Sequence, residues 1–237
     1  MKRLLLMSSS RKGSMGYLEH AATQLETILQ GKVQQLLFIP FAAVTFSFDE
    51  FEKIVQAPFA KLGVEVKSIH HFKDPVKAVE DAQAMAVGGG NTFALLRRIY
   101  DAGIIETVQK RVEAGMPYMG WSAGTNVSCP TIRTTNDMPI IQPPSFNAFN
   151  LVPFQINPHF ISGKPAGHNG ESREERLAEF TTINPTENVL AIREGSALYV
   201  EGTNATLLGD LDALVFSKSG TDTIHAGSSF ALNSVNG

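Results

Sequence analysis

"AMAVGGGNTFALLRRIYDAGIIETVQKRVEAGMPYMGWSAG", residues 84–124, decides the fold. A short apolar run stops at three glycines, Gly88 to Gly90. One or two helical segments follow, and a second apolar run ends in Gly120-Trp121-Ser122-Ala123-Gly124. A buried strand, a helix and another buried strand of these lengths imply a right-handed crossover between parallel strands.

The same alternation extends toward the N-terminus. "RLLLMSS" (3–9), "QQLLFIPFA" (34–42) and "VEVKSIH" (64–70) read as strands. Between them lie helical patterns at 17–31, at 48–63 with Asp49 as the expected N-cap, and at 74–82. The last opens with Asp74 as N-cap and Pro75 at the first helical position. The second half differs: "FQINPHF", "VLAIRE", "ALYVEG", "ATLLG", "ALVFSK" and "TIHAG" are strand-like, with one helix, "SREERLAEFTTI". The expected fold is a single α/β domain over 1–237. Its sheet is mostly parallel, flanked by helices on both faces, with antiparallel edge strands from the C-terminal half.

Composition narrows the function classes. A hydrophobic content of 43% in 237 residues supports a sizeable core, and a net charge of -3 supplies no basic surface for nucleic acid. A single cysteine, Cys129, excludes an intrachain disulfide and fits a reducing compartment. The apolar run at Leu4–Met7 is too short for a signal peptide, and no stretch is long enough to span a membrane. The expectation is a cytoplasmic protein with no nucleic-acid or membrane partner; monomer and homodimer stay open.

Ligands of such sheets sit at the carboxyl ends of the strands, where the two glycine-rich loops fall. G-x-S-x-G is frequent by chance, yet beside a second glycine loop it makes Ser122 a candidate nucleophile on a strand-to-helix turn. Such a serine needs a base and an oxyanion hole. Gly89, Gly90 and Ala123 are the expected backbone donors. Among six histidines, His159 follows the stiff pair Asn157-Pro158 and is the expected base; the bland alternative is a core-edge histidine satisfied by hydrogen bonds. Two carboxylates could orient it: Asp137 in "TIRTTNDMPI", which we favour because glutamate is the rarer triad acid, and Glu194 in "AIREGS". Arg133 could hold a substrate carboxylate, as could Arg173 in "GESREER", with Asn91 and His168 as further substrate contacts. Histidines scattered in sequence and the lack of HExxH or CxxC spacing predict no metal site and no cofactor.

"IPFA", "VGGGNTF", "GWSAG", "CPTIRTTNDMPI", "QINPHF" and "AGHNGESREERLAEF" resemble, in that order, the motifs of the peptidase E family of alpha-aspartyl dipeptidases. The likeness spans residues 2 to 200. It implies a fold similar to class I glutamine amidotransferases, with serine in place of their nucleophilic cysteine. It also implies hydrolysis of Asp-Xaa dipeptides without metal or cofactor. By motif it assigns Ser122 as nucleophile and His159 as base, and leaves the acid between Asp137 and Glu194. Two other readings compete: an α/β-hydrolase esterase with His225 as the late base, and a phosphate-binding module built on Gly88–Asn91.

Overall fold

The computed structural model describes residues 1–164, 166–167 and 169–236. Five strands come from the first half: β1 (Arg3–Met7), β2 (Gln35–Ile39), β3 (Glu65–Ser68), β4 (Met85–Val87) and β5 (Tyr118–Trp121). They are all parallel, in the spatial order β1-β5-β4-β2-β3. Six helices lie between and after them: α1 (Ala22–Leu29), α2 (Phe48–Ala60), α3 (Pro75–Asp81), α4 (Thr92–Asp101), α5 (Ile105–Glu113) and the single turn α6 (Ala123–Asn126).

Strand periodicity explains why helices cover both faces. Leu4, Leu6, Met85, Val87 and Tyr118 point one way, into a cluster with Ala78, Val79, Leu95, Leu96, Ile99, Val108 and Val112 of α3, α4 and α5. Leu5, Met7, Ala86, Met119 and Trp121 point the other way, onto Leu25, Ile28 and Leu29 of α1 and Phe51, Val55 and Phe59 of α2. Trp121 is closed in on this side: Phe38 stacks on it at 6.2 Å, and Tyr17 meets it edge-on while accepting its indole N–H at 2.8 Å. Truncating a ring so enclosed costs about 3–5 kcal/mol.

The helix boundaries differ from expectation in two places. Ser47, not Asp49, caps α2: it forms a capping box with Glu50, which leaves Asp49 inside the first turn. The pattern at 17–31 is helical only from Ala22, after a 3₁₀ turn at Glu19–Ala21. Leu18 takes a left-handed φ of 55° while fully buried, so packing ends the helix there.

The second half supplies β6 (Gln155–Asn157), α7 (Arg173–Ile183), β7 (Val189–Ala191), β8 (Ala197–Glu201), β9 (Asn204–Leu208), β10 (Ala213–Ser217), β11 (Gly220–Ile224) and β12 (Ser229–Ala231). As expected, β8 pairs antiparallel with β1 and extends the sheet through β9 and β12. The rest departs from expectation. β6, β7, β10 and β11 form a second, four-stranded sheet, in which β6 and β7 are parallel and joined by α7. Residues 127–154 lead to it across the first core face, burying Ile132, Phe149, Leu151 and Phe154. Among the described residues, no helix is long and apolar enough to cross a membrane.

Candidate active site

Ser122 stands between β5 and α6 with φ 55° and ψ −114°, a backbone state costing about 1–3 kcal/mol for a residue with a side chain. The surroundings impose it. Ser122 N–H donates to Met7 O at 3.1 Å, and its carbonyl accepts from Thr125 and Asn126. The Thr125 hydroxyl reaches Met7 O and Gly120 O, and Tyr118 donates to Gly124 O at 2.6 Å. Both motif glycines are sterically required: a Cβ on Gly120 would lie 2.5 Å from Gly124 O, and one on Gly124 would overlap Val87 O. Although Ser122 holds the N-cap position of α6, its hydroxyl makes no capping bond. A serine at that position normally caps; here the hydroxyl is not spent on the helix.

The loop after β4 lies directly beside it. A Cβ on Gly89 would sit 3.1 Å from Ser122 Cβ. Gly88 N–H is used on Ile39 O and Asn91 N–H on Ala42 O, while those of Gly89 and Gly90 have no partner among the described residues. Ala123 opens α6, and its N–H has no intrahelical acceptor. The three expected oxyanion donors therefore keep unused N–H groups.

His159 comes from the second sheet, just past β6, and it too has a left-handed backbone, φ 54°. Ser8, the residue after β1, fixes it: the buried Ser8 hydroxyl accepts His159 N–H at 2.8 Å and donates to Ile192 O at 3.0 Å. Ser122 is tied to Met7 and His159 to Ser8, so adjacent residues of one strand end hold both. His159 Nδ1 lies 2.6 Å from Glu194 Oε1. A carboxylate only accepts, so Nδ1 carries the proton and Nε2 of the neutral ring keeps a lone pair. Glu194 precedes a turn at Gly195 (φ 81°), whose N–H bonds the Ser9 hydroxyl.

This corrects our preference for Asp137 as the carboxylate on His159. Asp137 Oδ2 instead accepts from both Thr92 N–H (2.7 Å) and the Thr92 hydroxyl (2.6 Å) at the start of α4. A carboxylate there is stabilised by the helix dipole. Asn91, expected to touch substrate, is likewise engaged in the fold. Its Oδ1 caps α4 through Ala94 N–H, and its Nδ2 donates to Met138 O.

The two arginines have different fates. Arg133 forms an ion pair with Glu187, donates to Asn184 Oδ1 at 2.7 Å and lies over the Phe180 ring. Its charge is matched within the protein. Arg173, the first residue of α7, lines a cleft of about 230 Å³ together with Arg133 itself, Thr134, Asn136, Asp137, Asn157 and Arg176. Among the described residues its buried Nη1 has no hydrogen-bond partner, nor has Asn157 Oδ1 in the same cleft. Burial, then the nearby Arg176 charge, hold the guanidinium below its ordinary pKa. His168 lies outside the described residues.

Sequence reasoning missed Ser8 and Ser9, although two serines at the carboxyl end of the strand beside β5 were a legible signal. It also missed a clamp under His159: Asn136 Nδ2 donates to Pro158 O, and Asn157 Nδ2 donates to Thr134 O and Asn136 Oδ1. The expected lack of any ligand cluster needs revision too, because Asp49, His70 and His71 converge beyond β3.

The chain matches the family model described as Peptidase family S51 over residues 4–208. It is 50% identical over 222 residues to "Peptidase E" of Pasteurella multocida (strain Pm70), covering 92% of this chain and 94% of that protein. It is 49% identical over 232 residues to "Peptidase E" of Actinobacillus pleuropneumoniae serotype 7, covering 97% and 99%. Its fold is similar to the crystal structure of a peptidase from an acI-B1 actinobacterium, with TM-score 0.73, 20% identity, and coverage of 98% and 97%. A family match that spans both the Ser122 turn and the His159–Glu194 pair carries the conclusion: this chain is a peptidase and belongs to family S51.

Proposed function

We propose that the protein is a serine dipeptidase that removes an N-terminal aspartate from Asp-Xaa through an acyl-enzyme on Ser122. The observation that carries this reading is the fixed His159–Glu194 pair, tied through Ser8 to the strand end that also holds the strained Ser122. In this mechanism His159 Nε2 takes the Ser122 proton as Oγ attacks the scissile carbonyl. The N–H groups of Ala123 and of Gly89 or Gly90 bind the oxyanion, and the imidazolium, stabilised by Glu194, then protonates the departing amine. Water repeats the sequence on the ester and frees aspartate.

Arg173 is the arginine we assign to the substrate aspartate. Arg133 is already paired with Glu187, whereas Arg173 has a buried N–H without an acceptor among the described residues and the like charge of Arg176 beside it. A carboxylate entering that cleft supplies the missing counter-charge. Asparagine would leave the guanidinium badly paired, which is a basis for rejecting it.

The competing readings lose support. His225 bonds Asp212 at 3.0 Å beside β11, the outer strand of the small sheet. The α4 N-terminus, which a phosphate-binding loop would offer to its ligand, already holds the Asp137 carboxylate. The test is hydrolysis of Asp-Leu, Asn-Leu and a p-nitrophenyl ester in parallel, with and without a serine-directed inhibitor. Inhibitor-sensitive cleavage of Asp-Leu, with Asn-Leu at least about a hundredfold poorer, is expected. Equal cleavage of the two dipeptides overturns the aspartate assignment.

A further inference from the structure

We propose that His70, His71, Asp49 and Glu52 form a binding site for one divalent transition-metal ion of the zinc class, at the β3 edge of the large sheet. The site is separate from the peptidase machinery: β3 lies three strand positions from β5, about 14 Å at the usual strand spacing.

The fold brings these residues together. Asp49 and Glu52 sit three apart in the first turns of α2, hence on one face. β3 runs beside this helix and ends in a 3₁₀ turn, Ile69–His71, that turns both imidazoles toward the carboxylates. One donor atom each from Asp49, His70 and His71 lies within 4.8 Å of the others. Asp49 Oδ1 is 2.9 Å from His70 Nε2 and 3.7 Å from His71 Nε2, and Glu52 Oε2 is 2.8 Å from His71 Nε2. Ligand atoms around a tetrahedral zinc ion, with bonds of about 2.0–2.1 Å, stand about 3.3 Å apart. The Asp49–His70 and Asp49–His71 separations bracket that value; Glu52, close to His71 alone, lies outside this three-residue group and must swing inward to supply the fourth ligand.

The groups behind these ligands are in place as well. Ser68 Oγ lies 2.6 Å from His70 Nδ1; without an ion Nε2–H donates to Asp49 and the hydroxyl donates to Nδ1, and the same hydroxyl can turn to accept Nδ1–H when an ion takes Nε2. Ser68 N–H donates to Glu52 Oε1 at 2.6 Å and aims the other oxygen at His71. Phe48 packs against the His70 ring at 5.5 Å and limits its swing. Two imidazoles and two carboxylates suit zinc and its neighbours rather than calcium or magnesium, which take oxygen ligands. An ion here would join α2 to the turn after β3, at an outer strand paired on one side only.

The probe is Zn²⁺ itself, titrated calorimetrically into the full chain after chelator treatment, with Co²⁺ as a coloured substitute. One equivalent is expected to bind with Kd below about 10 μM, with a visible Co²⁺ spectrum of a four-coordinate site. His70→Ala and His71→Ala should each weaken binding more than tenfold, and Ser68→Ala about tenfold. His225→Ala should change nothing. Circular dichroism and metal-free melting of each variant confirm the fold. No saturable binding by the wild type overturns the proposal, as does binding that survives the His70→Ala/His71→Ala double substitution.

Discussion

Ser122 and His159 stand on two kinds of scaffold. Ser122 ends β5, which is flanked by the parallel strands β1 and β4 with buried side chains on both faces. His159 and Glu194 end β6 and β7, strands of three residues each in a smaller sheet. The first scaffold stores strain in a turn that surrounding backbone over-determines. The second positions its groups through side chains: Ser8 on His159, Ser9 on Gly195, and Asn136 and Asn157 beneath Pro158. Apart from the Thr125 and Tyr118 hydroxyls that close its turn, the Ser122 side should therefore resist small polar substitutions around it, whereas the His159 side should lose alignment when the Ser8 hydroxyl is removed.

The largest effect should come from the first scaffold. Ser122→Ala is expected to keep the fold and lower kcat for Asp-Leu by several orders of magnitude, the scale of nucleophile removal in serine peptidases. Retention of more than about a tenth of the activity would contradict it. Next, Arg173→Met should lower kcat/KM for Asp-Leu about a hundredfold or more while leaving the melting midpoint nearly unchanged, because its buried Nη1 has no partner to lose among the described residues. Arg133→Met, which breaks an ion pair to Glu187, should affect kcat/KM far less. A larger loss from Arg133→Met would reverse the assignment.

Smaller effects sharpen the contrast. Ser8→Ala removes the acceptor of His159 N–H and should cost about 1–3 kcal/mol of stability, with kcat falling more than KM changes. Unchanged kcat would show that β6 alone holds the histidine. Ser47→Ala removes the α2 capping box, which bonds neither Ser122 nor His159, and should cost about 1 kcal/mol in denaturant unfolding with unaltered turnover. Any loss of kcat there would mean that the large sheet is less rigid than described.

How much was legible in the sequence follows the same division. All five parallel strands could be read because each is a short apolar run bounded by turn residues, and because neighbours in the chain are separated by helices. Residues 154–194 also show strand, helix and strand, but nothing local states which sheet β6 joins; that depends on the path of residues 127–154 over the first core face. Ser122 and His159, the residues of the proposed mechanism, could be picked out from motif and stiffness. The carboxylate that lies beside His159 could not. Asp137 lies in a polar loop well suited to a site, and only the folded chain shows its oxygen bonded to Thr92. Glu194 looked like a strand end, because the 35 residues separating it from His159 close only through the β6–β7 pairing. The convergence of His70 and His71 with Asp49 was hidden in the same way, by a contact between helix and turn.

The measurement that bears most directly on the central claim is a paired comparison of kcat for Asp-Leu in Glu194→Gln and Asp137→Asn, each checked for folding. If Glu194 orients His159, Glu194→Gln should lower kcat by up to about four decades. Asp137→Asn, which weakens the anchoring of α4 beside the Arg173 cleft, should keep kcat within about tenfold of wild type and lose about 0.5–2 kcal/mol of stability. A collapse of kcat in Asp137→Asn with Glu194→Gln near wild-type turnover would contradict the account and return the role of triad acid to Asp137.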